Sequence, residues 1–431
     1  MKAEKYAEVV TKNGERYAGL IIDSANKDIF SIKLESGYNV NLNRKKITKI
    51  TKIKKKGAKK SIVKIAKAEF DRNLKTISIL HTGGTIASKV SYETGAVYPR
   101  FSPDELIRMF PELRGTANIK SRLIENMFSE DMRFYHYNKI AKEIEKEIRN
   151  GVNGIIVTHG TDTLCHTAAA LSFMLEGLSV PVVLVGSQRS SDRPSSDSAI
   201  NLLCAVNFIV KANFSRVAIC MHSETDDNSC EILPACKTKK LHSSRRDAFK
   251  VVNGNPIAKV GRDGNVELLR TFIKPDERPL KLRFFREGIK IGVLKAHPNL
   301  SSDEIRMFSK FDGLVIEGTG LGHLGINQID NATKENLNVF EELKKLAKKI
   351  PVVMTTQCIF GRVNLNVYET GRKIAELGIL GNNSDMTFEA AFIKLAWLLS
   401  NYKKRSDVEN LFEKDMHGEI SRRVLFERKF I

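Results

Sequence analysis

Thr76-Ile77-Ser78-Ile79-Leu80-His81-Thr82-Gly83-Gly84-Thr85-Ile86-Ala87-Ser88 decides how the rest of the chain is read. Its first half is a short apolar run with β-branched residues ended by a Gly pair, the pattern of a strand buried on both faces of a parallel sheet. Its second half sets two hydroxyls at the carboxyl end of that strand, where open α/β sheets hold their ligands, and the glycines let backbone approach a substrate. Thr82 is therefore a candidate nucleophile. A tight turn with satisfied hydroxyls gives the same string, so one such motif decides little. A second, Gly154-Ile155-Ile156-Val157-Thr158-His159-Gly160-Thr161-Asp162-Thr163, repeats the design: apolar strand, then a turn of glycine, hydroxyl and carboxylate. Two strand ends of this kind in one sheet put two hydroxyls on one pocket.

Outward from these turns the chain alternates. Apolar strands over 76–80, 154–158, 181–186 and 216–221 are separated by helical stretches Asn138 to Arg149, Cys165 to Leu175 and Ser196 to Val210. That order predicts an α/β body with a parallel or mostly parallel sheet covered by helices on both faces. Ser195-Ser196-Asp197 supplies N-capping residues for the third helix. Pro275, Arg278 and Pro279 mark a break, so residues 76–272 read as one domain and 273–288 as a linker. A smaller doubly wound unit, 289–431, follows, with strands at 289–295, 312–317 and 351–355 and helices at 303–309, 332–349 and 388–400. Gly320-x-Gly322-x-x-Gly325 fits a dinucleotide fingerprint, but no helix opens directly on those glycines, and nucleotide binding there is rejected.

Before the body, residues 1–51 alternate as short strands around the hairpin signal Asn13-Gly14 and predict a small all-β barrel, SH3-like or Sm-like. Residues 52–75 are a basic linker with Lys52, Lys54, Lys55, Lys56, Lys59, Lys60, Lys64 and Lys67. The chain's net charge is +20, and its first 75 residues carry 20 Lys/Arg against 8 Asp/Glu, so more than half of the surplus lies in front of the body. Such a balance favours polyanionic partners, and with no aromatic residues interleaved the linker suits contact with nucleic-acid phosphates better than base stacking. No apolar run reaches membrane-spanning length and Met1-Lys2-Ala3-Glu4-Lys5 lacks the apolar core of a signal peptide, so a soluble, cytoplasmic protein is expected. The six cysteines show no CxxC spacing and read as free thiols; the nine histidines show no HxxxH spacing, and no metal is expected in the site.

Both turns resemble the signature segments of the L-asparaginase family, and that resemblance implies amide chemistry. An amide is a poor electrophile with a poor leaving group, so splitting it takes an activated nucleophile, a proton donor for departing ammonia and donors for the oxyanion. Asp162 is the charged group within the turns, and Lys240 in Cys236-Lys237-Thr238-Lys239-Lys240-Leu241 is the natural partner, although Lys237 and Lys239 compete with it on sequence alone.

Thr82-Gly83-Gly84-Thr85-Ile86-Ala87 and His159-Gly160-Thr161-Asp162-Thr163 are both complete, and from about Thr76 onward the chain resembles the L-asparaginase family. The resemblance implies a two-domain asparaginase-like body with Thr82 as nucleophile and an acyl-enzyme mechanism. It makes Thr161, Asp162 and Lys240 a supporting triad, since Lys240 stands nine residues before Phe249 as the family's lysine does. It assigns polarisation of the nucleophile to Tyr92, with Tyr98 as rival. Ser129 and Glu130 match the loop that holds the substrate's α-carboxylate and α-amino groups, and Gly83 and Gly160 line the substrate at the turns. The pocket is completed by the second domain of a neighbouring protomer, which implies a homodimer, and His323 occupies the matching loop where a family Asn is expected.

An asparaginase-like body behind a basic extension further resembles the D-subunit family of archaeal glutamyl-tRNA(Gln) amidotransferases. That resemblance implies release of ammonia from glutamine or asparagine and a partner E subunit that amidates Glu-tRNA(Gln). ATP and Mg2+ would serve the partner's step, with no cofactor in this chain. A free-standing L-asparaginase with an appended β-barrel is the alternative, and a scaffold protein whose amidase has lost activity is a third reading.

Overall fold

The computed structural model of the protein describes residues 5–22, 27–34, 39–53, 70–84, 88–90, 97–99, 115–190, 195–270 and 278–423. Alternating apolar and polar residues build its first unit. Strands β1 (Tyr6–Thr11), β2 (Arg16–Ile22), β3 (Ile29–Leu34), β4 (Asn39–Asn43) and β5 (Ile47–Ile53) form one antiparallel sheet in the order β4-β3-β2-β1-β5. Val9, Tyr17, Phe30, Ile32, Val40 and Leu42 make its core. The Asn13-Gly14 turn joins β1 to β2, with Gly14 at φ +77°. β5 runs past the expected boundary at 51, and its middle, Thr48 to Lys52, is exposed. Most of the basic run, Lys54 to Lys67, lies outside the described residues.

The body begins with β6 (Thr76–Gly83), wholly buried, with Ile77, Ile79 and Leu80 as its apolar side chains. A ribbon of β7 (Ser88–Val90) and β8 (Val97–Pro99) follows, and then β9 (Asn118–Met127), α1 (Phe134–Arg149), β10 (Gly154–Thr158), α2 (Leu164–Met174) and β11 (Leu175–Glu176). Next come β12 (Val182–Val185), α3 (Ser198–Lys211), β13 (Val217–His222), β14 (Ser229–Pro234), β15 (Thr238–Lys240), β16 (Phe249–Val251), β17 (Ala258–Gly261), β18 (Val266–Leu268) and β19 (Lys281–Leu282), which pairs with β11. The large sheet has the order β18-β17-β14-β13-β12-β10-β6-β9. Its ladders from β9 to β13 are parallel and those from β13 to β18 antiparallel. The sheet is thus mixed. β14 follows β13 through a short connection, too short for the crossover that a parallel neighbour needs.

Both faces are covered as expected. Ile77, Ile79, Ile156, Val183 and Val185 pack under α3, while Leu80, Ile155, Val157, Val182 and Leu184 join α1 and α2. This is the period of two that a strand imposes.

The second unit is smaller. Strands β20 (Ile291–Lys295), β21 (Gly313–Gly318) and β22 (Val352–Thr356) are parallel and lie in chain order. Helices α4 (Ser302–Met307), α5 (Glu335–Lys349) and α6 (Glu369–Glu376) precede α7 (Phe388–Asn401) and α8 (Arg405–Phe412). Leu314, Ile316, Val352 and Met354 face the cluster that includes α5, whereas Val315 and Val353 face α7, so this sheet too has helices on both sides. Trp397 of α7 is fully buried, 5.6 Å from the Phe173 ring of α2. The two units of the body therefore share one core. Gly320 and Gly322 lie in a turn bridged by Thr319 and His323, and the next helix starts only at Glu335, so no helix N-terminus faces those glycines.

Candidate active site

β6 and β10 are parallel neighbours with His81 opposite Thr158, so their carboxyl ends open at the same edge. Gly83 and Gly84 have φ of +109° and +78°, conformations that a Cβ resists. Space makes the same demand, since a Cβ on Gly84 would lie 2.5 Å from Gly160 N. The two motif turns are in direct contact.

Thr82 is wholly buried, and its Oγ1 donates to the Thr158 carbonyl at 2.8 Å. His81 beside it is held at both ring nitrogens, by Thr158 Oγ1 and Ser121 Oγ, each at 2.8 Å. Burial lowers the pKa of His81 to about 4, so the ring is neutral near pH 7. His159 is its counterpart at the second turn, bonded to Thr167 Oγ1 at 2.8 Å and to the Gly160 carbonyl at 2.7 Å. Burial takes it to about 4 as well.

Lys240 Nζ donates to Thr161 Oγ1 at 2.9 Å and to Asp162 Oδ1 at 2.7 Å. The lysine is largely buried while the Asp162 side chain is 63% exposed. How Lys240 arrives there is plain from the ribbon of β15 and β16, in which it stands directly opposite Phe249. The nine-residue spacing is a cross-strand pair, with a fully buried Phe249 as its anchor. Of the three lysines it is Lys240 whose Nζ reaches Thr161 and Asp162. Lys237 and Lys239 lie on the other face, where they pair with Asp385 at 2.7 Å and Glu389 at 2.6 Å.

Ser129 opens a short 3-10 turn, Ser129–Asp131, against the second motif. It is buried, a Cβ on Gly160 would lie 2.8 Å from its Oγ, and its carbonyl accepts from Thr163 Oγ1 at 2.6 Å. Glu130 next to it is exposed. Thr82, Gly83, Ser129, Gly160, Thr161, Asp162 and Lys240 are thus brought together. His323 is elsewhere, edge-on to Tyr368 with ring centroids 5.5 Å apart and against Gly371 of α6. Burial lowers its pKa. Among the described residues no hydrogen bond or ring contact joins it to the two turns. Tyr92 lies outside the described residues.

Two neighbours of the site carry roles that the sequence reading does not assign. Asp197 stands at the N-cap of α3, but its carboxylate makes no cap hydrogen bond there. It accepts instead from Ser187 Oγ at 2.9 Å, Gln188 N at 3.0 Å, Arg189 N at 3.0 Å and Asn201 Nδ2 at 3.1 Å. The expected capping residue is therefore the brace of the loop after β12. That loop delivers Gln188, whose Oε1 lies 3.4 Å from Thr161 Oγ1 and whose Nε2 is buried with no partner among the described residues. β12 adjoins β10, so its end opens at the same edge, and that topology is the signal that points to Gln188.

The fold and this cluster define the class: a two-domain asparaginase-like amidohydrolase. Residues 76–274 match the family described as "Asparaginase, N-terminal", residues 290–412 the "Glutaminase/Asparaginase C-terminal domain", and residues 8–53 the "GatD N-terminal domain". Among solved structures, the thermostable L-asparaginase from Thermococcus kodakarensis is 30% identical with a TM-score of 0.71, covering 80% of this chain and 99% of its own. L-asparaginase I from Vibrio cholerae is 28% identical with a TM-score of 0.67, covering 81% and 99%. Relatives named as the D subunit of glutamyl-tRNA(Gln) amidotransferase extend the likeness to the front of the chain. That of Pyrococcus furiosus is 41% identical over 96% of this chain and 94% of its own, and that of Methanococcus maripaludis 41% identical over 95% and 96%. The chain belongs to the D-subunit family of glutamyl-tRNA(Gln) amidotransferases.

Proposed function

We propose that this chain is the ammonia-producing member of a tRNA-dependent amidotransferase. It hydrolyses glutamine or asparagine, and the ammonia passes to a partner E subunit that converts Glu-tRNA(Gln) to Gln-tRNA(Gln) with ATP and Mg2+. The observation that carries the reading is the Lys240–Thr161–Asp162 cluster assembled beside the buried Thr82, in a chain alike end to end with named D subunits.

In the proposed reaction Thr82 Oγ attacks the carboxamide carbon, the C–N bond breaks, and the hydroxyl proton passes by way of the polar groups of the site to Lys240. The oxygen that gains charge is met by backbone N–H groups of the glycine turns. Lys240 gives a proton to the departing nitrogen, which leaves as ammonia, and regains the one that Thr82 released. In the second step water attacks the threonyl ester, its proton passes to Lys240, and Lys240 returns one to Thr82 Oγ as the acid is freed. Asp162 Oδ1 accepts from Lys240 Nζ and holds it against Thr161. Ser129 and Glu130 hold the substrate's α-carboxylate and α-amino groups, and Tyr92 polarises the nucleophile. A second copy of the chain closes the pocket with the loop bearing His323. No cofactor enters this half of the reaction. Among the described residues no helix is long and apolar enough to cross a membrane, and we place the protein in the cytoplasm with translation.

The reading is tested with the assembled complex carrying Thr82→Val. Amidation of Glu-tRNA(Gln) should be lost with glutamine and kept with ammonium salts. Loss with both nitrogen sources would sink the division of labour. The asparaginase neighbours support a second reading, a free-standing L-asparaginase with an extra β-unit, and tRNA-independent turnover of asparagine would favour it.

A further inference from the structure

The strand that delivers Lys240 is poorly held by its own sheet. β15 and β16 form a two-stranded ribbon of three residue pairs, separate from the large sheet, and such a ribbon is marginal by itself. Its own unit holds it through the buried Phe249 and the Thr238 Oγ1–Pro234 carbonyl bond at 2.6 Å, and two further tethers come from the C-terminal unit. Lys237, just before β15, and Asp385 are each 3% exposed, with Nζ 2.7 Å from Oδ1 and 3.0 Å from the Asp385 carbonyl. Burial lowers the pKa of Lys237 against the opposing pull of Asp385. Lys239 Nζ reaches Glu389 Oε1, in the first turn of α7, at 2.6 Å. Both carboxylates thus flank the start of one helix, whose N-cap Thr387 accepts from Ala390 N. Asp385 is braced from behind, its Oδ1 accepting from Ser421 N at 2.8 Å.

Stability does not account for this arrangement. A buried ion pair gains little over well-packed apolar residues of the same size, because desolvation offsets the Coulomb attraction. What the buried pair just before β15 and the partly buried pair within it do supply is register and direction. They pull one face of β15 onto α7 and leave Lys240 facing Thr161 and Asp162. We propose that Lys237–Asp385 and Lys239–Glu389 are positioning pairs for Lys240, which make the start of α7 part of the machinery that sets Lys240 Nζ against Thr161. The inference rests on the amidohydrolase reading of that cluster.

The test is amide hydrolysis by the full chain carrying Lys239→Gln or Glu389→Gln, each in the native background and in a Lys240→Gln background. Displacing a catalytic group by a fraction of an ångström lowers turnover, so each substitution should reduce kcat about tenfold with KM changed less than about twofold. Lys239→Arg should restore most of the rate. Because the pairs act through Lys240, neither substitution should lower kcat further once Lys240 is Gln. An equal further loss in that background, or a loss confined to KM, overturns the proposal. Thermal unfolding identifies a variant that fails to fold; Glu389→Gln keeps the side chain's shape and carries the test should Lys239→Gln unfold. Native turnover by Lys240→Gln alone would instead overturn the reading of the cluster.

Discussion

The turn after β6 and the turn after β10 are built alike and prepared differently. Each sets a buried, neutral histidine beside glycine and a threonine hydroxyl. Thr82 Oγ1 donates to a backbone carbonyl of the neighbouring strand, a bond that holds the hydroxyl but cannot take its proton. Thr161 Oγ1 accepts from Lys240, a contact with acid–base capacity. The proposed reaction thus divides nucleophile and proton carrier between two strand ends, which the parallel pairing of β6 with β10 sets side by side.

The sharpest way to break this comparison is to remove each hydroxyl in turn. Thr82→Val should lower glutamine hydrolysis by roughly three orders of magnitude or more. Thr161→Val should slow the second step, so that rapid quenching and mass spectrometry find an acyl group on Thr82. An acyl group on Thr161 of the native chain would exchange the two roles. Next in size, Lys240→Met should cost about a hundredfold in kcat, and a change in KM alone would make Lys240 a binding group.

The shared feature has its own consequence. His81 and His159 titrate near 4 in the folded chain against 6.5 unfolded. Between those values the unfolded state binds more protons, so stability is complete above about pH 6.5 and is lost as pH falls towards 4. Denaturant midpoints should drop over that window, and His81→Gln should make the drop shallower; an unchanged slope would mean that His81 is not a source of it. The smallest effect is expected of Gln188→Ala, about a few-fold in kcat, because the contact with Thr161 at 3.4 Å is long.

How much of this is legible in the sequence follows from what each signal depends on. The buried strands at 76–83 and 154–158 announce themselves, since a run apolar on both faces has few other uses. The choice of Lys240 over Lys237 and Lys239 rests on spacing, and the structure gives that spacing a cause in the Lys240–Phe249 pair. The antiparallel edge, β14 to β18, escapes because its short strands lack helices between them. Asp197 misleads because a carboxylate before a helix looks like a cap whether it bonds to the helix or to the loop behind it. Gln188 and the Asp385 and Glu389 carboxylates depend on contacts distant in sequence, which no local pattern records.

The most direct test of the central claim is ammonia release from glutamine by the purified chain, alone and then with the E subunit, Glu-tRNA(Gln) and ATP. Release that is low alone and rises in the complete mixture is the predicted result. Free turnover of asparagine by the chain alone, indifferent to the additions, would contradict it.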